Sequence, residues 1–559
     1  MSITAETAKA HAHDPAVLCC RAEAGITIEP ANLEDPAIFD DLVDSGLLNL
    51  DGCLTIEEVL GAKLTKTCDS LCPLTNDVLD GVKAPTTPAE EAEEEAPAEE
   101  AAPAAPVATA ATVAGGTLKI HIGEGKDINL EIPVGALGAT GEAVAEVPAA
   151  VAATATAEAP VEETKVVGTL TRRHIKITEV KRGPETKIEG TTLYIREGIE
   201  AEVIADQELV KDFHLEIITP DQYHTYSETI MDVQPIATKE GDAILGEGAT
   251  RVLDGVVMML TGTDEGGVQI GEFGSSEGYL DENIMWGRPG CPDKGEIFIK
   301  GNIVVQEKTN MERRGPMAAH TAFDIITQEI REVMKELDDS FIVEDEELKS
   351  IRRPGKKKVV IVKEIMGQGA MHDNFILPVE PVGILGARAN VDLGNVPVCV
   401  SPLEVLDGCI HALTCIGPAS KEMSRHYWRE PLVLEALHDE EVDLCGVVFV
   451  GSPQINAEKY YVSRRVGHTV EMMDVDGAFV TTEGFGNNHI DFASHIEQIG
   501  MRGIPVVGLS FCAVQGALVV GNKYMQYMVD NNKSESGIEN EVLGCNTLCQ
   551  EEGIRALSL

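Results

Sequence analysis

The run Gly408-Cys409-Ile410-His411-Ala412-Leu413-Thr414-Cys415-Ile416-Gly417-Pro418 places a threonine-cysteine pair just before a Gly-Pro turn signal. A thiolate at Cys415 can attack the Thr414 carbonyl on its own N-terminal side and convert that amide into a thioester. Loss of the Cα proton then expels the thioacid and leaves a dehydroalanine, whose imine tautomer hydrolyses to a ketone. If Cys415 takes that route, one polypeptide becomes two, 1–414 and 415–559, and the new N-terminus carries a ketone in place of an amine. Such a carbonyl is a cofactor made from the chain itself. Gly417-Pro418 suits the tight backbone that the rearrangement requires. Thr67-Cys68 is a second pair of the same type. The dipeptide alone does not choose between them; the surroundings must.

Four other segments carry side chains suited to binding a small molecule. They read Gly367-Gln368-Gly369-Ala370-Met371-His372-Asp373-Asn374, Gly451-Ser452-Pro453-Gln454, Glu483-Gly484-Phe485-Gly486-Asn487-Asn488-His489 and Ser510-Phe511-Cys512-Ala513-Val514-Gln515-Gly516. Glycines let backbone amides approach a ligand, and Asn, Gln, Ser and His give directional hydrogen bonds. His372 and His489 are the candidate proton carriers, because imidazole titrates nearest neutrality. Ser452, Asn487 and Gln515 complete the candidate substrate-binding set. Each loop alone reads equally well as an ordinary turn. Four on one sheet edge argue for a site.

That edge depends on the elements before each loop. Lys358–Val362, Leu444–Val450, Gly477–Thr481 and Ile504–Leu509 are apolar runs separated by helical stretches, the pattern of a parallel sheet covered on both sides. Ligands of such sheets bind beyond the carboxyl ends of the strands. The sequence therefore predicts an α/β chain whose C-terminal domain, 316–559, is a doubly wound parallel sheet containing the 414/415 bond. Pro316 opens a helix with Phe323, Ile326, Ile330, Val333, Met334 and Leu337 on one face. Before it, 166–315 reads as a β-rich domain of antiparallel strands. Residues 1–83 read as a small helical unit, with a capping box from Thr55 to Glu58. Between them, 84–165 is expected to form disordered Ala/Glu/Pro linkers around a short hairpin, 118–132.

Composition narrows the function. A formal net charge of −49 over 559 residues argues against nucleic acid and anionic membrane surfaces, which call for basic patches. The N-terminus lacks the apolar core of a secretion signal, and the apolar run 504–520 is broken by Pro505, Gly508, Gln515 and Gly516. A cytoplasmic protein is expected. The thirteen cysteines are scattered, so no disulfide framework is predicted. The two C-x3-C pairs, Cys68/Cys72 and Cys545/Cys549, lie at opposite ends of the chain, and no metal site is assigned to them. A different class of function, a swinging carrier arm, would use Lys119 or Lys126 of the hairpin, although neither lies in a Met-Lys-Met context.

Longer strings carry a resemblance. DPAVLCCRAEAGITIEPANLEDPAIF, GVQIGEFGSSEG, NIMWGRPGCPDKGEIFIK, MERRGPMAAH and ALTCIGPASKE resemble the D-proline reductase proprotein family. The resemblance implies self-cleavage between Thr414 and Cys415, a pyruvoyl cofactor from Cys415 and D-proline as substrate. It also implies a separate selenocysteine-containing reductase subunit and 5-aminovalerate as product. A carbonyl at residue 415 could take up the ring nitrogen and make it a better leaving group, with selenolate attack at Cα opening the ring. This sequence has no selenocysteine, so its part would be to bind and activate. A glycine-, sarcosine- or betaine-type reductase subunit is the alternative within the same chemistry.

Overall fold

The computed structural model describes residues 5–18, 24–34, 36, 39, 50, 52–66, 68, 72–82, 117–122, 128–133 and 163–559. Within the last span it omits 271–275, 311–313, 366–374, 377–378, 386–390, 393–396, 414–422, 454, 483, 485, 515, 519 and 539–541. The chain divides into two compact units, Met1–Ala157 and Glu158–Leu559.

In the first unit the capping box forms, with the Glu58 carboxylate accepting the Thr55 N–H at 2.8 Å. The helix it starts, Ile56–Val59, lasts one turn, because Gly61 at φ +91° turns the chain away. Leu64 lies beyond it in strand Lys63–Leu64, paired with Leu79–Asp80. Ala5–Ala10 and the 3-10 turn Pro30–Asn32 are further helical segments among the described residues. Among the described residues, most of this unit is irregular. Long-range backbone bonds such as Ala16 N–H to Leu54 C=O (2.7 Å) tie it together around Leu18, Ile28, Leu33, Ile56, Val59 and Leu74. Thr117–Ile122 and Ile128–Pro133 pair antiparallel, as their alternation predicts. Most of the two expected linker tracts lies outside the described residues.

The second unit begins with a β-rich layer that differs from expectation in two ways. Its pairing is mixed: Gly248–Asp254 runs parallel to Lys165–Lys176, and Val256–Asp264 parallel to Ile297–Val305. The layer also continues past residue 315. Strand Ile342–Arg352 pairs antiparallel with Lys165–Lys176. Helix α1 (Arg314–Glu336) packs Phe323, Ile326, Ile330 and Met334 against Phe213, Ile299 and Ile303. Gly301 makes that packing possible, since a Cβ there would lie 2.3 Å from the Phe323 ring. Strand Ile342–Arg352, past residue 315, thus shares a sheet with the β-rich layer.

A six-stranded sheet follows, built from β1 (Lys357–Ile365), β2 (Val398–Val400), β3 (Val442–Gly451), β4 (Gly477–Thr482), β5 (Val506–Ser510) and β6 (Tyr527–Asp530). Its order is β2-β3-β1-β4-β5-β6, parallel throughout except for the antiparallel edge strand β2. Short helices α2 (Ser424–Trp428) and α3 (Pro431–His438) precede β3, while α4 (Asn456–Met472) and α5 (Asn488–Gly500) follow β3 and β4. Alternation along β1 divides the packing. Val359 and Ile361 lie in one cluster with Leu432, Val433 and Ala436 of α3, and Val360 and Val362 in another with Val462 and Val466 of α4 and Phe492 and Ile496 of α5. No helix among the described residues is long and apolar enough to cross a membrane.

Candidate functional site

Thr414 and Cys415 lie outside the described residues, but both approaches to them are fixed. On the upstream side, buried Asp407 accepts hydrogen bonds from Lys239 Nζ (2.7 Å), Thr250 Oγ1 (2.6 Å) and the Gly246 N–H (2.8 Å). Gly408 then turns at φ +81°, where a Cβ would lie 3.1 Å from the Trp428 ring. The chain continues into strand Ile410–His411, paired antiparallel with Phe375–Ile376. On the downstream side, Ser424 at the start of α2 donates twice to the Asp232 carboxylate, from its N–H at 2.8 Å and its hydroxyl at 2.7 Å. The Ala412 N–H donates to the same hydroxyl at 3.0 Å. Ala412 and Ser424 therefore meet although 413–423 separates them in sequence.

Two imidazoles face that carboxylate. His320 Nδ1 from α1 and His411 Nδ1 each lie 3.8 Å from Asp232 Oδ2, and their rings sit 5.1 Å apart, nearly perpendicular. All three residues and Ser424 are buried. Burial raises Asp232 to about 7 against the pull of its hydrogen bonds from Ser424 and Gln234. Burial lowers His411 to about 4, and burial together with His411 lowers His320 well below the ordinary range. Both rings are neutral at physiological pH. The cluster is a carboxylate and two neutral imidazoles at the closure of the Thr414-Cys415 segment.

A second cluster lies at the carboxyl edge of the parallel sheet. Lys459 of α4 donates to Asp491 of α5 and, at 3.2 Å, to the Ser452 hydroxyl after β3. Asn488 donates to the same hydroxyl at 3.0 Å. Glu364, near the end of β1, accepts from Thr482 Oγ1 at 3.3 Å, and its second oxygen lies 3.7 Å from His495 Nε2. Burial, and then the Asp491 charge, push Glu364 well above the carboxylate range, towards its neutral form. Burial raises Asp491 to about 6 against the opposing pull of Lys459, and burial lowers His495 to about 3. A carboxylic acid held neutral beside a buried ammonium can donate a proton to a ligand and hold an anionic group.

The expected residues divide unevenly. Ser452 is central to the edge cluster. His489 is buried, with Nε2 2.8 Å from the Ser510 hydroxyl. Asn487 is exposed, and its neighbour Asn488 takes the inward position. His372 and Gln515 lie outside the described residues. The sequence reading missed Asp232, His320, Ser424, Glu364, Lys459, Asp491 and His495. For two of them a signal existed: Asp232 interrupts the apolar strand Ile230–Gln234, and His320 ends the MERRGPMAAH string.

Comparison with known proteins bears on this geometry. The family model of glycine/sarcosine/betaine reductase component B subunits matches residues 169–517, a span that contains both clusters. The chain belongs to this family. It is accordingly an oxidoreductase of the reductase component B type. The D-proline reductase proprotein PrdA of Acetoanaerobium sticklandii is 68% identical, over 100% of this chain and 90% of that protein. The glycine reductase complex component B subunits alpha and beta of the same organism are 24% identical, over 60% of this chain and 77% of that protein. The sarcosine reductase complex component B subunit alpha of Peptoclostridium acidaminophilum is 24% identical over the same shares. No solved structure matches. The component B family members are named as parts of reductase complexes, so the family works alongside partner subunits.

Proposed function

We propose that this chain is the proprotein of a cytoplasmic D-proline reductase, cleaving itself between Thr414 and Cys415 to give fragments 1–414 and 415–559. The observation that carries the reading is the double clasp of Ser424 on Asp232 with Ala412 on the same hydroxyl. It holds both ends of the segment bearing the Thr-Cys pair, as an intramolecular attack on a backbone carbonyl requires. Cys68, of the other Thr-Cys pair, packs instead in the apolar core of the first unit. The 68% identity to a D-proline reductase proprotein supports the same choice.

The pyruvoyl group formed from Cys415 supplies an electrophilic carbonyl that activates an amine toward C–N cleavage. Residues of the two clusters have their own tasks. Asp232 and Ser424 hold the segment. We read the sheet as doubly wound, so that substrate lies at its carboxyl edge, where Ser452 and Asn488 orient it. Lys459 attracts its carboxylate there, and protonated Glu364 supplies a proton. The reducing selenol comes from a separate selenocysteine-containing subunit, and ring opening of D-proline gives 5-aminovalerate.

Intact mass of the purified protein, with and without Cys415→Ala, tests this. The expected result is two chains from the wild type, the smaller with a blocked, hydroxylamine-reactive N-terminus, and one uncleaved chain from the variant. Cleavage that persists in Cys415→Ala, or that is lost in Cys68→Ala, removes the assignment. Turnover of glycine, sarcosine or betaine in preference to D-proline would move the chain to the other branch of its family.

A further inference from the structure

We propose that Asp232, His320 and His411 form a binding site for one divalent transition-metal ion of the zinc type. Their ligand atoms lie within 4.8 Å of one another and come from three elements far apart in sequence: strand Ile230–Gln234, helix α1 and strand Ile410–His411. The donor set, two imidazoles and one carboxylate, is the set that borderline divalent ions take, and it leaves a fourth position open.

Three observations point to a ligand. First, among the described residues His320 has neither ring nitrogen hydrogen-bonded, and His411 has only a 3.4 Å contact between Nδ1 and the Ser424 hydroxyl, although both side chains are fully buried. Leaving a buried polar group unpaired costs about 1–3 kcal/mol, and of these atoms His320 Nδ1 is the one that faces Asp232, so the cluster calls for an occupant there. Second, Asp232 is a fully buried carboxylate that neither Lys nor Arg pairs among the described residues. A dication supplies the missing charge. Third, the spacing separates a metal site from a proton relay. A relay needs its members about 2.6–3.2 Å apart. The two Asp232–imidazole distances of 3.8 Å are too long for that. They suit ligands spread around an ion with bonds of about 2.0–2.2 Å, after a closure of a few tenths of an ångström.

The surroundings support the assignment. The Asp232 carboxylate is oriented by the Ser424 N–H and hydroxyl and by Gln234 Nε2 (2.8 Å), the kind of outer contact that metal ligands carry. Cysteine has no place in this donor set, which sets it apart from the Cys549/Glu551/Glu552 grouping elsewhere. An ion here would join α1 to both ends of the segment 413–423. Its existence does not depend on the self-cleavage reading.

The test uses the full chain, stripped with a chelator and titrated with Co²⁺ alone. The expected result is one Co²⁺ per chain, with d–d absorption and no thiolate charge-transfer band. Zn²⁺-loaded wild type should show scattering from two imidazoles and no sulfur in X-ray absorption fine structure. His320→Ala and His411→Ala should each weaken Co²⁺ binding at least tenfold. Absence of stoichiometric binding by the wild type, a sulfur-dominated spectrum, or undiminished binding in folded His320→Ala and His411→Ala overturns the proposal. If the variants do not fold, the wild-type X-ray spectrum decides alone.

Discussion

Ser424 grips Asp232 twice, by its N–H at 2.8 Å and its hydroxyl at 2.7 Å, and the same hydroxyl receives the Ala412 N–H at 3.0 Å. One small side chain thus ties the residue two before Thr414 to the start of α2. Removing the hydroxyl leaves the N–H contact and the apolar packing in place but frees Ala412. Ser424→Ala should fold and still cleave, with a rate about tenfold lower. That corresponds to roughly 1.4 kcal/mol of lost positioning, the scale of one hydrogen bond to a charged group plus an unpaired amide. A time course of precursor disappearance on denaturing gels measures it. An unchanged rate would mean that this clasp does not position the reacting bond.

Cleavage at 414/415 would divide the main sheet between two chains without opening it. β1 belongs to the upstream fragment yet lies between β3 and β4 of the downstream one, hydrogen-bonded to both. β2, also upstream, forms the edge beyond β3. The two fragments are therefore expected to co-elute as one species in native size exclusion and to part only in denaturant. Their separation in mild buffer would show that the cleaved protein rearranges.

Parallel strands β1, β3, β4 and β5 were legible because each is a run of β-branched and apolar residues followed by a glycine-containing loop, whereas the short, polar-ended β6 was not; α1 was legible because its apolar residues recur at helical spacing. Ser452 was legible for the same reason, as a polar residue directly after such a strand. Asn487 was missed by one position, since a one-residue shift at the start of α5 decides which asparagine points inward. Asp232 could not be placed, because its burial depends on Ser424 and His320 from remote parts of the chain. The parallel pairing of Lys165–Lys176 with Gly248–Asp254 was hidden as well. Turn signals report which strands are consecutive in the chain; they say nothing about partners this far apart. In the first unit the capping box started a helix as expected, but Gly61 stopped it after one turn.

The buried pair Lys459–Asp491 gives a sharper test of the edge site. Both side chains are fully buried, so removing one partner strands a charge. Lys459→Met should destabilise the folded protein by about 3–5 kcal/mol, and the double variant Lys459→Met/Asp491→Leu should recover most of that. Both should lose D-proline turnover, because each lacks the ammonium proposed to attract the substrate carboxylate. Thermal melts and a product assay read the two effects separately. A double variant with normal turnover would take Lys459 out of the site.

A pH effect on stability should come from outside the site, at His174. Its Nδ1 lies 2.9 Å from Asp254 and its Nε2 3.7 Å from Glu346. Hydrogen bonding to Asp254, then to Glu346, raises His174 to about 9. The bond to His174 and the charge of Arg172 outweigh burial and lower Glu346 to about 2. The raised histidine contributes stability that is complete below its unfolded value of about 6.5 and is lost as pH rises through 9. The lowered carboxylate contributes above about 4.5, and that contribution is lost as pH falls towards 2. Both act fully between about pH 4.5 and 6.5. Asp254 and Glu346 are partly exposed, so solvent screening reduces the gain from His174 to on the order of 1 kcal/mol. Melting temperatures of wild type and His174→Gln should differ most near about pH 6 and converge by about pH 10. A gap that stays constant over that range would show that His174 acts by packing and not by its charge.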